Sequence, residues 1–183
     1  MRPNMSQVAI RRLDGMVSLS NHVTIVGEGG VNHQGQLATA LALVDAAVAA
    51  GADIVKFQLY QTEKLLVASH PDFAMLVGLE LPFKGFQELA QYCRRYDIHH
   101  LPAQPVIRQP HIEFLVSVFH VEAVAMAKEL RAIGERTLRS SLARLKIPSG
   151  ELTNLPLIAA VAEAGFPVII STGMAKISEV EAA

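Results

Sequence analysis

The chain has 183 residues, with 16 Lys and Arg against 17 Asp and Glu and a formal net charge of -1. Hydrophobic residues make up 51% and charged residues 18%, enough apolar matter for a core, which excludes a chain disordered by composition. The balanced charge gives no long-range pull toward nucleic acid or an anionic membrane, and the single cysteine, Cys93, excludes a disulfide framework or a zinc site built on cysteine pairs.

Residues 1–21 read as a polar, irregular lead-in. His22–Val26 (HVTIV) is short and β-branched, as a buried strand would be. Gly27–Gly35 (GEGGVNHQG) follows as a glycine-rich loop whose spacing is not that of a dinucleotide-binding turn. Leu37–Ala50 is alanine-rich and helical, Gly51 is placed for a left-handed helix end, and Asp53–Phe57 (DIVKF) reads as a second strand. Strand, loop, helix, glycine, strand is a βαβ unit and implies parallel pairing.

Beyond it, Gln58–Lys84 forms a connection longer than structure alone requires. Gly85–Tyr96 places Phe86, Leu89, Ala90 and Cys93 at helical spacing, so the cysteine is expected in the core. Ile98–Leu101 is the expected third strand and Gln104–Pro110 a turn. Val121–Ile133 patterns as a helix ended by Gly134. Arg131, Arg136, Arg139 and Arg144 form a mildly basic run that reads as a solvated helix face. Leu145–Ile147 is a short strand, Asn154 caps a helix over Leu155–Ala164, Val168–Ser171 is another strand, and Lys176–Ala183 begins a last helix. About five strands alternate with helices, whereas a complete eight-stranded barrel takes about 250 residues. The pattern is that of a partial (β/α) barrel or a small open α/β sheet.

The longest apolar stretch, Leu155–Ile170, contains Glu163, Gly165 and Pro167 and does not read as a membrane span. The N-terminus shows no apolar leader core, and a reducing, cytoplasmic setting is expected. A mean hydropathy of +0.31 implies apolar surface covered by another element.

Parallel α/β folds carry their chemistry at the carboxyl ends of the strands. Falling there are Glu28, Asn32 and His33 after the first strand, Lys56 and Gln58 on the second, Lys146, Ser149 and Glu151 around the fourth, and Ser171 and Thr172 after the fifth. Two lysines with several hydroxyls on one rim is the donor set a phosphorylated substrate needs. Each has a structural alternative: a salt-bridged Lys56, a tight turn at Ser149-Gly150, a helix cap at Ser171-Thr172, a turn-ordering Asn32-His33. The other histidines, His120 among them, lack ligand spacing and read as structural or surface residues.

Four segments, EGGVNHQG (28–35), AGADIVKFQ (50–58), KIPSGELTNLPLI (146–158) and PVIISTGMA (167–175), together resemble the sialic acid synthase family, the bacterial N-acetylneuraminate synthases, in the family's order. The resemblance implies an incomplete (β/α)8 barrel over residues 22–183, with an atypical segment around 105–145. The family condenses phosphoenolpyruvate with N-acetylmannosamine, giving N-acetylneuraminate and phosphate. By the same resemblance Lys56, Lys146, Ser149 and Ser171 hold phosphoenolpyruvate, and Glu28 and Glu151 are catalytic acids near the sugar. A divalent metal, manganese or magnesium, is implied, but its ligands lie on later strands, so no metal ligand is expected among these residues. The family's third strand ends in a Ser/Thr-Pro-Phe-Asp-like turn whose threonine touches the phosphate. The nearest match here is Ala103-Gln104-Pro105-Val106. The C-terminal barrel half and the antifreeze-like domain of the homodimeric full-length family are absent, which implies a chain inactive by itself, with an open sheet edge. The expected partners are phosphoenolpyruvate and an N-acetylated amino sugar, with no nucleic acid and no membrane. Alternatives are a synthase of legionaminic or pseudaminic acid, a Schiff-base aldolase using Lys56 or Lys146, and a non-catalytic fragment that binds a partner.

Overall fold

The computed structural model describes residues 24–96, 112–135, 142–173 and 175–182. In chain order these form β1 (Val26–Gly30), α1 (Leu37–Ala49), β2 (Ile54–Leu59), α2 (Thr62–Leu65), α3 (Phe73–Leu79), α4 (Phe83–Cys93), β3 (Glu113–Val118), α5 (Val121–Glu135), β4 (Leu142–Ile147), α6 (Leu155–Glu163), β5 (Val168–Ile170) and α7 (Ile177–Ala182). The five strands make one parallel sheet in sequential order, β1-β2-β3-β4-β5. That order, with helices between strands, is an arc of (β/α)-barrel type. The arc is unclosed, and β1 and β5 are its edges. Large apolar residues stay exposed at both edges, Ile25 and Val26 on one side and Ile170 on the other.

The core follows from the two-residue period of a strand. On β2, Val55, Phe57 and Leu59 point to the helices, as do Phe114, Val116 and Val118 on β3 and Leu145 and Ile147 on β4. Helix α4 meets them with Phe86, Leu89, Ala90 and Cys93, α5 with Ala123, Val124, Ala127 and Leu130, and α6 with Leu157 and Val161. The Cys93 thiol is fully buried there, and burial pushes it up to about 12. The opposite face takes the alternate residues: Ile54, Lys56 and Gln58, then Leu115 and Ser117, then Arg144 and Lys146.

Several elements fall where the residue pattern puts them. Helix α1 ends before Gly51, which is left-handed at φ 73. Asn154 caps α6, its Oδ1 accepting the Leu157 N–H at 3.2 Å. The strands depart more. The first covers Val26–Gly30 rather than His22–Val26, because parallel pairing with β2 draws part of the glycine-rich segment into the ladder. Residue Glu28 is therefore in a strand, not in a loop. The ladder slips between Glu28 and Gly30, leaving Gly29 as a bulge. A Cβ on Gly29 would lie 2.6 Å from the Phe57 ring, so the bulge admits only glycine.

The place between β2 and β4 belongs to Glu113–Val118. The expectation of a third strand at Ile98–Leu101 is overturned for that place; Ile98–Leu101 itself, the Gln104–Pro110 turn and the 1–21 lead-in lie outside the described residues. Six apolar or small residues in FLVSVF (114–119) suit a strand buried on both faces. The basic run is also corrected. Arg144 points to the inner face of β4 and bonds Glu113 at 2.6 Å, while Arg131 stacks over Phe166 and donates to the Gly165 carbonyl. Arg136 and Arg139 are outside the described residues.

After β1 the chain turns on three successive backbone bonds, Asn32 N–H to Gly29 O, Gln34 N–H to Val31 O and Gln36 N–H to His33 O. Gly35 closes this loop at φ 71, and a Cβ there would lie 2.8 Å from the Gly78 carbonyl oxygen. Gly165 is also left-handed, at φ 68, but has open space around it. Replacing Gly165 by Ala is expected to cost about 1–2 kcal/mol for the left-handed backbone alone. Gly35→Ala adds a backbone clash and should cost clearly more in denaturant unfolding; equal losses would show that the loop and α3 do not touch.

Candidate functional site

The inner face concentrates charge near the carboxyl ends of the strands. In the ladder Glu28 pairs with Lys56, Lys56 with Leu115, and Leu115 with Arg144. One step further along, Gln58 pairs with Ser117, Ser117 with Lys146, and Lys146 with Ile169. Lys56 is 5% exposed. An ammonium buried there needs a counter-charge, and the Glu28 carboxylate forms an ion pair with it. The bulge at Gly29 sits directly after Glu28 and follows from the same register slip.

Lys146 approaches the same point from β4. Its pKa is lowered, first by burial and then by the Lys56 ammonium beside it, with the Glu28 carboxylate opposing. Two ammoniums thus share one carboxylate, and the excess positive charge is what an anion would neutralise. Ser117 stands next to Lys146 in the ladder, 1% exposed, and its hydroxyl has no partner among the described residues. A buried hydroxyl without a partner is costly and rare in a folded protein, and here it lies at an electropositive point.

The residues expected from the sequence divide. Glu28, Lys56 and Lys146 are brought together. Ser171 follows β5, and its backbone N–H donates to the Ile147 carbonyl. Ser149 opens a 3-10 turn, Ser149–Glu151, immediately after β4. Both serines are at the same end of the sheet as the lysines. Among the described residues, no hydrogen bond joins either hydroxyl to a lysine. Glu151 is held by Asn154, whose side-chain N–H donates to its carboxylate at 2.8 Å. His33 is fully buried; its Nδ1 accepts the Gly35 N–H at 3.1 Å, its ring lies 5.9 Å from Phe57, and burial lowers its pKa. That is the turn-ordering role, facing the core.

Ser117 was not among the expected site residues. The signal was present in FLVSV followed by a helix, but the apparent strand at Ile98–Leu101 masked it. Strand β3 ends one residue beyond Ser117, and Phe119 and His120 lead into α5; Ala103-Gln104-Pro105-Val106 lies outside the described residues. Among the described residues no three His, Cys, Asp or Glu side chains gather into a metal cage. No helix among them is long and apolar enough to cross a membrane.

A five-stranded parallel arc in sequential order, with helices between its strands, defines a protein of (β/α)-barrel type. Residues 43–183 match the NeuB family, and the chain belongs to it. It is 32% identical over 173 residues to the N,N'-diacetyllegionaminic acid synthase of Campylobacter jejuni, an alignment covering 87% of this chain and 45% of that protein. It is 27% identical to the N-acetylneuraminate-9-phosphate synthase of Drosophila melanogaster, covering 89% and 41%. The solved structure of the N-acetylneuraminic acid synthetase of Leptospira borgpetersenii, in complex with citrate, superposes with a TM-score of 0.71 at 29% identity, over 91% of this chain and 52% of that one. The chain thus spans about half the length of the relatives it matches.

The ion pair makes a stability prediction. Glu28→Gln leaves a buried ammonium uncompensated and is expected to destabilise by about 1–3 kcal/mol, below the 3–5 of a fully buried pair because Glu28 is half exposed. Lys56→Met should be nearly neutral. Denaturant unfolding compares the two; a larger loss for Lys56→Met would mean that the pair itself stabilises the fold.

Proposed function

We propose that this chain carries the phosphoenolpyruvate side of a synthase site that makes a nonulosonic acid of the sialic or legionaminic type. The observation that carries the reading is the meeting of the Lys56 and Lys146 ammoniums at an electropositive point beside the unpartnered Ser117 hydroxyl. Lysine supplies point charge to a phosphate and the hydroxyl supplies a directed donor. Ser149 and Ser171, on the turns after β4 and β5, are proposed to complete the donor set around the bound anion. Family membership supports this assignment, as do relatives named for synthases of both acids.

In the proposed reaction the enol carbon of phosphoenolpyruvate attacks the aldehyde carbon of an open-chain N-acetylated amino sugar. A carbon–carbon bond forms, and the aldehyde oxygen takes a proton. Water adds to the neighbouring carbon as positive charge develops there and gives up a proton, and the bond from that carbon to the phosphate oxygen breaks. Lys56 and Lys146 neutralise the phosphate before and after it leaves. Glu28 and Glu151 are proposed to move protons on the sugar side. Manganese or magnesium, which the resemblance implies, would polarise the aldehyde, but the described residues offer it no cage and the roles proposed here are those of the protein's own groups.

A second reading has one observation in its favour. A lysine lowered first by burial and then by a neighbouring ammonium is the arrangement that activates an amine for Schiff-base chemistry. Borohydride trapping with pyruvate distinguishes the two: a covalent Lys146 adduct would favour the aldolase.

Phosphoenolpyruvate at about 100 times its dissociation constant is expected to stabilise the full chain by about 2.7 kcal/mol in thermal unfolding. Lys56→Ala with Lys146→Ala should abolish the shift. Ser117→Ala should weaken binding by about 3–10-fold, the worth of one hydrogen bond. A wild-type chain that shows no shift would overturn the reading.

A further inference from the structure

At the carboxyl end of β3 the chain buries an imidazole that the pocket chemistry does not use. His120 is 6% exposed and directly precedes α5. Its Nε2 lies 3.0 Å from the backbone nitrogen of Gln61, just after β2. Its Nδ1 lies 3.1 Å from the backbone nitrogen of Ala123, in the first turn of α5, and 3.3 Å from the Glu122 carboxylate. Both backbone groups are donors. A neutral imidazole has one free lone pair and one N–H, so it accepts from only one of them.

The carboxylate decides which. With the proton on Nδ1, the ring donates to Glu122 and accepts the Gln61 N–H at Nε2. With the proton on Nε2, that N–H would point at the Gln61 N–H, donor against donor. An imidazolium accepts from neither. The charged groups around the ring are Glu122 on α5, Lys64 on α2 and Glu80 in the connection before α4. Lys64 bonds Glu122 at 3.1 Å, and Glu80 is occupied by the backbone N–H and hydroxyl of Thr62.

The bond has consequences for the pocket because of where its ends are. Gln61 is three residues beyond Gln58 on the strand that carries Lys56, and His120 is three beyond Ser117. We propose that His120 is a proton-gated positioning residue, which when neutral ties the end of β2 to the end of β3 and holds Lys56 and Ser117 in register around the bound anion, and when protonated releases them. The consequence for the anion rests on the phosphate reading above; the tie between strands does not.

Burial is the main influence on the ring and lowers its pKa; Glu122 and Glu80 oppose, and Lys64 adds to the lowering. A folded value below the unfolded 6.5 means that the stability is fully present above about pH 6.5 and is lost as pH falls through the folded value.

The test uses the full chain. Nitrogen-15 NMR between pH 5 and 8 should show the Nδ1–H tautomer, a titration midpoint below 6.5, and the Gln61 amide shifting with that same midpoint. An Nε2–H tautomer, or a Gln61 amide indifferent to the titration, would overturn the proposal. Binding of phosphoenolpyruvate is then compared for wild type and His120→Gln, whose side-chain oxygen reaches the Nε2 position and accepts the Gln61 N–H at every pH. Wild type should lose about fivefold or more in affinity below the midpoint relative to the variant, a comparison in which the ligand's own ionisation cancels. Parallel pH profiles would overturn the gating. Should phosphoenolpyruvate bind neither protein while Gln61 still titrates with His120, the phosphate reading fails and the tie between strands stands.

Discussion

An ammonium group held inside a parallel sheet organises this molecule. Lys56 sits on the inner face, where neighbours above and below are Ile54 and Gln58 and the lateral ones are Leu115 on β3 and Glu28 on β1. Left alone it would be a costly buried charge. The carboxylate that pairs with it comes from the edge strand, next to the register slip at Gly29. The glycine is needed because the Phe57 ring occupies the space of a side chain there. Core packing on one face of β2 and charge on the other are thus coupled through a single bulge.

The carboxyl rim is built with unequal care. Lys56, Lys146 and Glu28 come from strands, whose hydrogen-bonded neighbours fix them. Ser149, Glu151 and Ser171 come from turns, and of these the Glu151 carboxylate is held by a neighbour three residues away. In the proposed site the three charges are fixed by the sheet, while the hydroxyls of Ser149 and Ser171 lie on segments outside it. The orphaned Ser117 hydroxyl belongs with the fixed set, since β3 is flanked on both sides by paired strands.

The legible parts of the sequence were those with a local physical cause. Helices α1, α4 and α6 announce themselves by spacing and by their ends, and the strand bearing Lys56 by a β-branched run after a glycine. Less legible was anything decided by pairing. Glu28 reads as a loop residue because glycines flank it, yet its strand exists only through contact with β2. The third strand is ambiguous from sequence because Ile98–Leu101 looks as strand-like as FLVSV when neither has a neighbour. Ser117 shares that ambiguity. Arg144 reads as part of a basic surface run until β4 pairs with β3 and turns it inward toward Glu113. The lysine pair could be anticipated, since two lysines in strand-like segments of a parallel fold point to one rim; the shared carboxylate could not.

The lone thiol adds a property of a different kind. Cys93 is sealed beneath α4 with a thiolate suppressed by its surroundings, so alkylating reagents act on it only during excursions that separate that helix from the sheet. The chain carries a built-in chronometer: the pace at which a maleimide consumes it is the pace at which the interior breathes.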